Sequence, residues 1–363
     1  MPTDVGFATL MSAPATDRRK DIASVRILRL ALGTGLCLWF SQAFAWDLSF
    51  VAPVFTMMVL SLPLPPLPLQ ANLKFVVVLM LTAFAGVALL PLLMHARAAG
   101  VLVLALALFA SFYYTARGGS MLVGTFATVG LGLSTAIGSV SVDAVFIIIK
   151  ALFIACVVGL TFARLAHALL PDSSARPPAL AAAAAPPTPP PPLSLEAARS
   201  SALRSLCIVL PISLWFLFSA ASASFFVVMI KVAQMGQQSS VADARQAAKS
   251  FLASTLIGGI AATIAWQVLR IWPNVVLYSL LVALAGLVMG PRIFAGRAMH
   301  PMAATWSYGY VTMLIVLAPA VLDNSGDDAG SLFTTRLLIF VGATIYGVVA
   351  VRVYDAFHPP SAG

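Results

Sequence analysis

The chain has 363 residues, of which 61% are hydrophobic and only 9% are Asp, Glu, Lys or Arg, and its formal net charge is +9. About a quarter of the residues of an ordinary soluble protein are charged, so this composition excludes that class. The mean hydropathy of +0.99 indicates a polytopic membrane protein. Because backbone groups in lipid have no water to bond with, we expect an all-α fold.

Apolar segments of about 17 to 25 residues are long enough to cross a bilayer as helices. They predict about twelve transmembrane helices, at 27–46, 48–66, 73–94, 99–116, 121–139, 144–169, 202–221, 224–240, 249–269, 274–290, 302–322 and 331–354. The second span of each half is interrupted, by Pro53 and Pro63 in the first half and by Lys231 and Gln234 in the second. Each of these two segments either spans the membrane or is short, broken or re-entrant.

The predicted organisation is two membrane halves joined by a linker. The segments are a cytoplasmic N-terminal tail, a first six-helix half, a cytoplasmic linker, a second six-helix half and a cytoplasmic C-terminal tail, at 1–24, 25–171, 172–198, 199–357 and 358–363. Alanine and proline dominate the linker, which favours a stiff polyproline II spacer. A recognition role for its proline run is the alternative.

Similar features recur in the same order in the two halves. Arg29 and Arg204 open the first helix of each half, and Leu-Trp-Phe triplets containing Trp39 and Trp215 follow. A lysine then leads each third helix. Because each half has an even number of spans, the copies predict parallel repeats related by an axis along the membrane normal. The alternative is the chance likeness of any two helices rich in leucine and alanine.

Lysine and arginine are concentrated in alternate loops of the predicted topology. Arg18, Arg19 and Lys20 precede the first span, and the positive-inside rule therefore places the N-terminus in the cytoplasm. An even number of spans returns the C-terminus to the same side. Topology and lipid contact account for the net charge, and no nucleic-acid partner is needed.

Ionisable side chains inside a bilayer are costly and are therefore functional candidates. Lys231 and Gln234 share one helical face, and we expect them to bind a substrate carboxylate. The alternative is that Lys231 extends to the cytoplasmic surface from a short helix. Lys150, seven residues after Asp143, either joins the anion site or reaches the periplasmic interface.

Tryptophans and titratable residues complete the candidate site. Trp39 and Trp215 lie in the middle of their helices, where they either stack on an aromatic ligand or face lipid. His300, Asp47 and Asp143 are candidates for proton coupling. An interfacial position is the alternative for His300, and a short polar turn is the alternative for Asp47.

Arg29 and Arg204 are candidates for a cytoplasmic entrance for anions. The alternative is a topological role in contact with lipid phosphate. The three cysteines, Cys37, Cys156 and Cys207, lie within predicted spans without the spacing of metal ligands, which favours a packing role.

Motifs of enzymes and of ATP-driven pumps are missing from the sequence. There is no Walker loop, no histidine-rich metal cluster and no Ser/His/Asp grouping beyond chance. We therefore expect neither an enzyme nor a bound cofactor or metal. If the protein pumps at all, an ion gradient drives it. A passive pore or a structural subunit of an envelope assembly is the alternative function.

The arginine that opens each half, the aromatic pair, the short second helix and the Lys-led third helix together resemble the fusaric-acid-resistance and aromatic-acid-exporter family of bacterial inner-membrane proteins. Its third helix is expected to read R-x-x-G-T-x-x-G, and the segment from Lys249 to Gly259 reads K-S-F-L-A-S-T-L-I-G-G. Members often carry a cytoplasmic domain after the sixth helix, where this chain has only its linker.

The resemblance implies a protein of the bacterial inner membrane that exports small aromatic or amphipathic acids and is driven by protons. It also implies a periplasmic adaptor protein and an outer-membrane channel as partners. A homo-oligomer is a further possibility. Substrate, adaptor and coupling stoichiometry stay open at this point.

Overall fold

The computed structural model describes residues 15–138, 141–171, 193–218, 244–295, 298–300, 302–322 and 329–357. These residues are helical, with short turns, apart from one hairpin of two two-residue strands, β1 (Phe294–Ala295) and β2 (Ala298–Met299), which pair antiparallel. The prediction of an all-helical fold is therefore confirmed for the described chain. Lys231 and Gln234, the linker up to residue 192 and the predicted span 224–240 lie outside it.

The described helices follow one another with short connections. They are α1 (Ala15–Ala43), α2 (Val51–Leu60), α3 (Leu69–Ala88), α4 (Leu90–His95), α5 (Arg97–Ala116), α6 (Met121–Gly138), α7 (Val142–Leu169), α8 (Leu195–Phe218), α9 (Ala244–Ile271), α10 (Val275–Ile293), α11 (Ala303–Leu322) and α12 (Ala329–Phe357).

Among the described residues, seven helical segments are long and apolar enough to cross a membrane. They are Ile22–Ala43, Leu69–His95, Arg97–Ala116, Val142–Leu169, Leu195–Trp215, Lys249–Ile271 and Val275–Ile293. Shorter apolar helices lie at Val51–Leu60, Val123–Gly138, Ala303–Ala318 and Val341–Tyr354. The chain is accordingly a multi-pass membrane protein.

The second predicted span of the first half is short. Helix α2 has 10 residues, which corresponds to a length of about 15 Å and to roughly half of a hydrocarbon core. A turn with positive φ angles at Ala45 (47°) and Leu48 (56°) leads into it. The proline-rich segment 63–68 comes after α2. Proline lacks the backbone N–H that an α-helix needs, so this segment prevents α2 from continuing.

Glycines bring the third and fifth helices of each half into direct backbone contact. In the first half, a Cβ atom on Gly86 of α3 would lie 2.7 Å from the Cβ of Ser134 in α6. In the second half, a Cβ on Gly258 of α9 would collide with the carbonyl of Gly309 in α11. Small residues permit such close helix packing in membranes, where burial of apolar surface supplies little driving force.

Two pairs of helices that are far apart in the sequence pack against each other. Helix α1 packs along α10, and α5 packs along α8. The first contact is also close, since a Cβ on Gly35 would lie 3.0 Å from that of Ala283. We call this contact the α1–α10 seam.

The outer surface of the bundle is apolar. Large exposed side chains run along α3, α5, α9 and α10; examples are Leu81, Leu102, Ile260 and Leu280, each at least 60% exposed. Soluble monomers rarely show such extended apolar surface, whereas lipid covers it in a membrane. Tyr278 and Tyr310 are, by contrast, among the largest fully buried side chains.

Candidate functional site

The two repeated tryptophans lie on the outside of the bundle. Trp39 of α1 is 48% exposed and Trp215 of α8 is 63% exposed. Both indoles therefore join the apolar outer surface that lipid would cover. Their stacking on a ligand stays a prediction.

Lys150 also lies on the outer surface, on α7. Its neighbours along the helix, Phe146, Ile147 and Phe153, are exposed apolar side chains. A lysine on such a surface extends its ammonium group toward the nearer membrane interface. Asp143 is exposed in the first turn of α7, where a negative charge is favourable for the helix dipole. Asp47 is exposed in the turn between α1 and α2.

Arg29 is buried, with 3% of its surface exposed. Its Nε and Nη2 atoms donate hydrogen bonds of 3.1 and 2.5 Å to the carbonyl oxygen of Leu170. Leu170 is the residue that caps the C-terminal end of α7, so the guanidinium satisfies a terminal carbonyl and lies at the negative end of the helix dipole. Arg204, at the repeated position in α8, is half-buried. A role of either residue in anion uptake stays a prediction.

His300 shapes the start of α11. Its Nδ1 atom accepts a hydrogen bond of 3.1 Å from the backbone N–H of Met302, and its carbonyl accepts one of 2.8 Å from Ala303. The imidazole thus serves as a helix cap, in the way that a short polar side chain does. Nearby, the guanidinium of Arg292 lies 4.5 Å from the ring centre of Trp306.

The predicted site residues do not converge on one site among the described residues. Trp39, Trp215 and Lys150 face outward, while Arg29 and His300 cap helices. The described chain also contains no group of three or more His, Cys, Asp or Glu side chains that could hold a metal ion.

Uncharged polar groups inside the bundle were missed by the sequence reasoning. The hydroxyl of Tyr310 in α11 donates a 2.8 Å hydrogen bond to the carbonyl of Val282 in α10. The hydroxyl of Thr34 in α1 lies beside the Tyr310 hydroxyl but does not form a hydrogen bond of standard geometry with it. Tyr310 therefore links α10 and α11 at the seam where α1 packs.

Two further polar groups lie where α1 ends and α10 begins. The Tyr278 hydroxyl and the Gln42 Nε2 atom are buried, and neither has a hydrogen-bond partner. Buried donors almost always have a partner in protein or ordered water. The presence of glutamine and tyrosine inside predicted spans was the sequence signal for these positions, because polar residues are costly there.

An aromatic cluster surrounds the other side of the end of α1. The ring of Phe40 lies 4.6 Å from that of Phe44, 6.1 Å from that of Trp46 and 5.2 Å from that of Phe162 in α7, between ring centres. The buried Trp46 Nε1 atom has no hydrogen-bond partner. The end of α1 thus combines aromatic surface with unused hydrogen-bond donors.

Comparison with known proteins gives a match to a family model. Residues 26–166 match the model of a family described as Protein of unknown function (DUF2955). The match falls within the first half of the chain. No curated protein and no solved structure matches the chain. The resemblance to the fusaric-acid-resistance family therefore stays a prediction.

Proposed function

We propose that the protein is a secondary transporter of the bacterial inner membrane that exports small aromatic or amphipathic organic acids. It works by alternating access between two six-helix halves, residues 25–171 and 199–357, with both termini in the cytoplasm. Protons drive export, and a periplasmic adaptor and an outer-membrane channel complete the route. Transporters of this kind are often built from two internal repeats with a substrate site between them.

The packing of the helices supports the repeat. We match α1, α3, α5, α6 and α7 with α8, α9, α10, α11 and α12 as the first, third, fourth, fifth and sixth helices of each half. The same pairs are then in contact in each half: third with fifth, third with sixth, fourth with fifth, fifth with sixth, and first with sixth. The contacts between halves are reciprocal as well, because each first helix packs on the fourth helix of the other half. This matched set of contacts supports two repeats over a chance likeness of apolar helices.

The observation that carries the proposal is the polar seam between the halves. Thr34 of α1, Tyr278 of α10 and Tyr310 of α11 are buried polar side chains on three helices that meet here, because α10 packs on both α1 and α11. Polar groups inside a membrane are costly and mark ligand or ion pathways. A seam between two repeats is also the place where a ligand is exposed to one side and then to the other when the halves rock.

Reconstitution into proteoliposomes tests the proposal. The purified full-length chain is expected to move radiolabelled benzoate when a proton gradient is imposed, and a protonophore is expected to abolish this movement. Flux that persists unchanged after the gradient has collapsed indicates a passive pore, and the absence of flux indicates a structural subunit.

The Lys231→Ala and Lys150→Ala variants separate the roles of the two lysines. We expect Lys231→Ala to impair transport through loss of the anion site. Since Lys150 lies on the outer surface, we expect a smaller effect there. If both variants transport like the parent at all substrate concentrations, the lysine anion site is wrong.

A further inference from the structure

We infer that Tyr278 and Gln42 bind the carboxylate of the transported acid at the end of the α1–α10 seam. The inference rests on the proposed function and names the ligand group that this part of the seam recognises. Its basis is a pair of buried hydrogen-bond donors without acceptors.

Tyr278 is the stronger of the two observations. Its side chain is 1% exposed, and its hydroxyl has no partner. Tyr310 is also fully buried, but its hydroxyl donates a hydrogen bond to the carbonyl of Val282. Val282 lies one turn after Tyr278 on the same face of α10. Both tyrosines are fully buried, but an intramolecular partner is present only for the Tyr310 hydroxyl.

The register of the seam brings Gln42 to the same level. Ile27, Ala31 and Gly35 of α1 contact Gly290, Gly286 and Ala283 of α10 in turn, so the helices run antiparallel. Leu38 and Gln42 lie three and seven residues after Gly35, on the same face of α1. The antiparallel register places this part of α1 opposite the first turn of α10. Gln42 and Tyr278 thus lie within about one helical turn of each other along the seam.

Both unused groups are donors, which defines the ligand chemistry. A phenol O–H and an amide N–H require an acceptor, and a carboxylate offers two acceptor oxygens with about four lone-pair sites. Hydrogen bonds to an ionised acceptor are stronger than neutral ones. A carboxylate therefore suits the two donors, because it can accept a hydrogen bond from each.

Equilibrium binding of radiolabelled benzoate to the purified full-length chain in detergent tests the site, with benzamide as the neutral competitor. Tyr278→Phe and Gln42→Met remove one donor each and keep the side-chain volume nearly constant. Tyr113→Phe on α5 and Gln267→Met on α9 are the matched controls, since the same chemical changes are made away from the seam.

Each seam variant is expected to weaken benzoate binding by about tenfold or more, the effect of losing one hydrogen bond to a charged group. The control variants are expected to bind like the parent, and benzamide is expected to compete poorly. Tyr278→Phe is also expected to melt no earlier than the parent, because the hydroxyl that it removes has no partner. Loss of binding together with a large loss of thermal stability points to a structural role and overturns the inference.

The remaining outcomes separate this site from the proposed function. If the parent binds and transports benzoate and both seam variants do so equally well, the donors hold only water and the site is wrong, while the transporter proposal stands. If the seam variants lose binding but the parent moves no benzoate in proteoliposomes, the site stands and the transporter proposal fails. If the parent binds no benzoate, both fail.

Discussion

Replacement of Arg29 by leucine is expected to destabilise the bundle, because this side chain joins α1 to the end of α7. Its Nε and Nη2 atoms both donate to the Leu170 carbonyl, and the side chain is 3% exposed. A hydrogen bond from a charged group contributes about 1.5–3 kcal/mol, and a cation at a helix C-terminus contributes about 0.3–1 kcal/mol. Leucine also removes the cost of burying a charge, so we expect a net loss of about 2 kcal/mol.

Unfolding of the purified chain in mixed micelles, followed by far-ultraviolet circular dichroism, measures this loss. Arg164→Leu is the matched control, since Arg164 is an exposed residue of α7. Arg29→Lys is expected to fall between leucine and the parent, because an ammonium group lacks the planar fork of guanidinium. Equal stability of Arg29→Leu and Arg164→Leu contradicts the capping role.

Three further changes test the packing between helices, each by the same unfolding measurement. Gly258→Val is expected to lower the free energy of unfolding by about 1–3 kcal/mol, because the new side chain forces α9 away from α11. Gly342→Val is the control and is expected to have little effect, since nothing lies within 4 Å of its Cβ position. Equal losses of stability contradict the close contact. Tyr310→Phe is expected to cost about 1 kcal/mol through its lost hydrogen bond, and a stabilised variant refutes that bond's role. Thr255→Val removes the 2.9 Å hydrogen bond between the Thr255 and Thr344 hydroxyls and is expected to cost a similar amount, an expectation that an unchanged midpoint contradicts.

Helices bounded by proline or polar residues could be placed from the sequence. The predicted spans 99–116 and 302–322 agree closely with α5 and α11. Hydrophobicity did not place the start of α1, which begins at Ala15 and not near residue 27. The first turns of this helix are polar, and hydropathy indicates membrane contact but not helix formation. The shortness of α2 was visible in its flanking prolines.

The candidate site could be predicted only in part. Intramembrane charge pointed to Lys231, which lies outside the described residues, and to Lys150, which faces outward. Arg29, a candidate for anion entry, caps a helix. The polar seam is formed by uncharged side chains from helices about 240 residues apart in sequence, as Gly35 and Ser279 show. No spacing rule identifies such a pair, because the contact depends on tertiary packing. The unpartnered state of Tyr278 likewise depends on every neighbour that surrounds it.

Solute counterflow tests the central claim most directly. Proteoliposomes that contain the full-length chain are loaded with unlabelled benzoate at high concentration and diluted into a trace of labelled benzoate, with no proton gradient. A carrier that alternates between two halves exchanges the inner molecules for outer ones, so we predict a transient accumulation of label above its equilibrium level. Simple equilibration of the label, without an overshoot, contradicts alternating access in this protein.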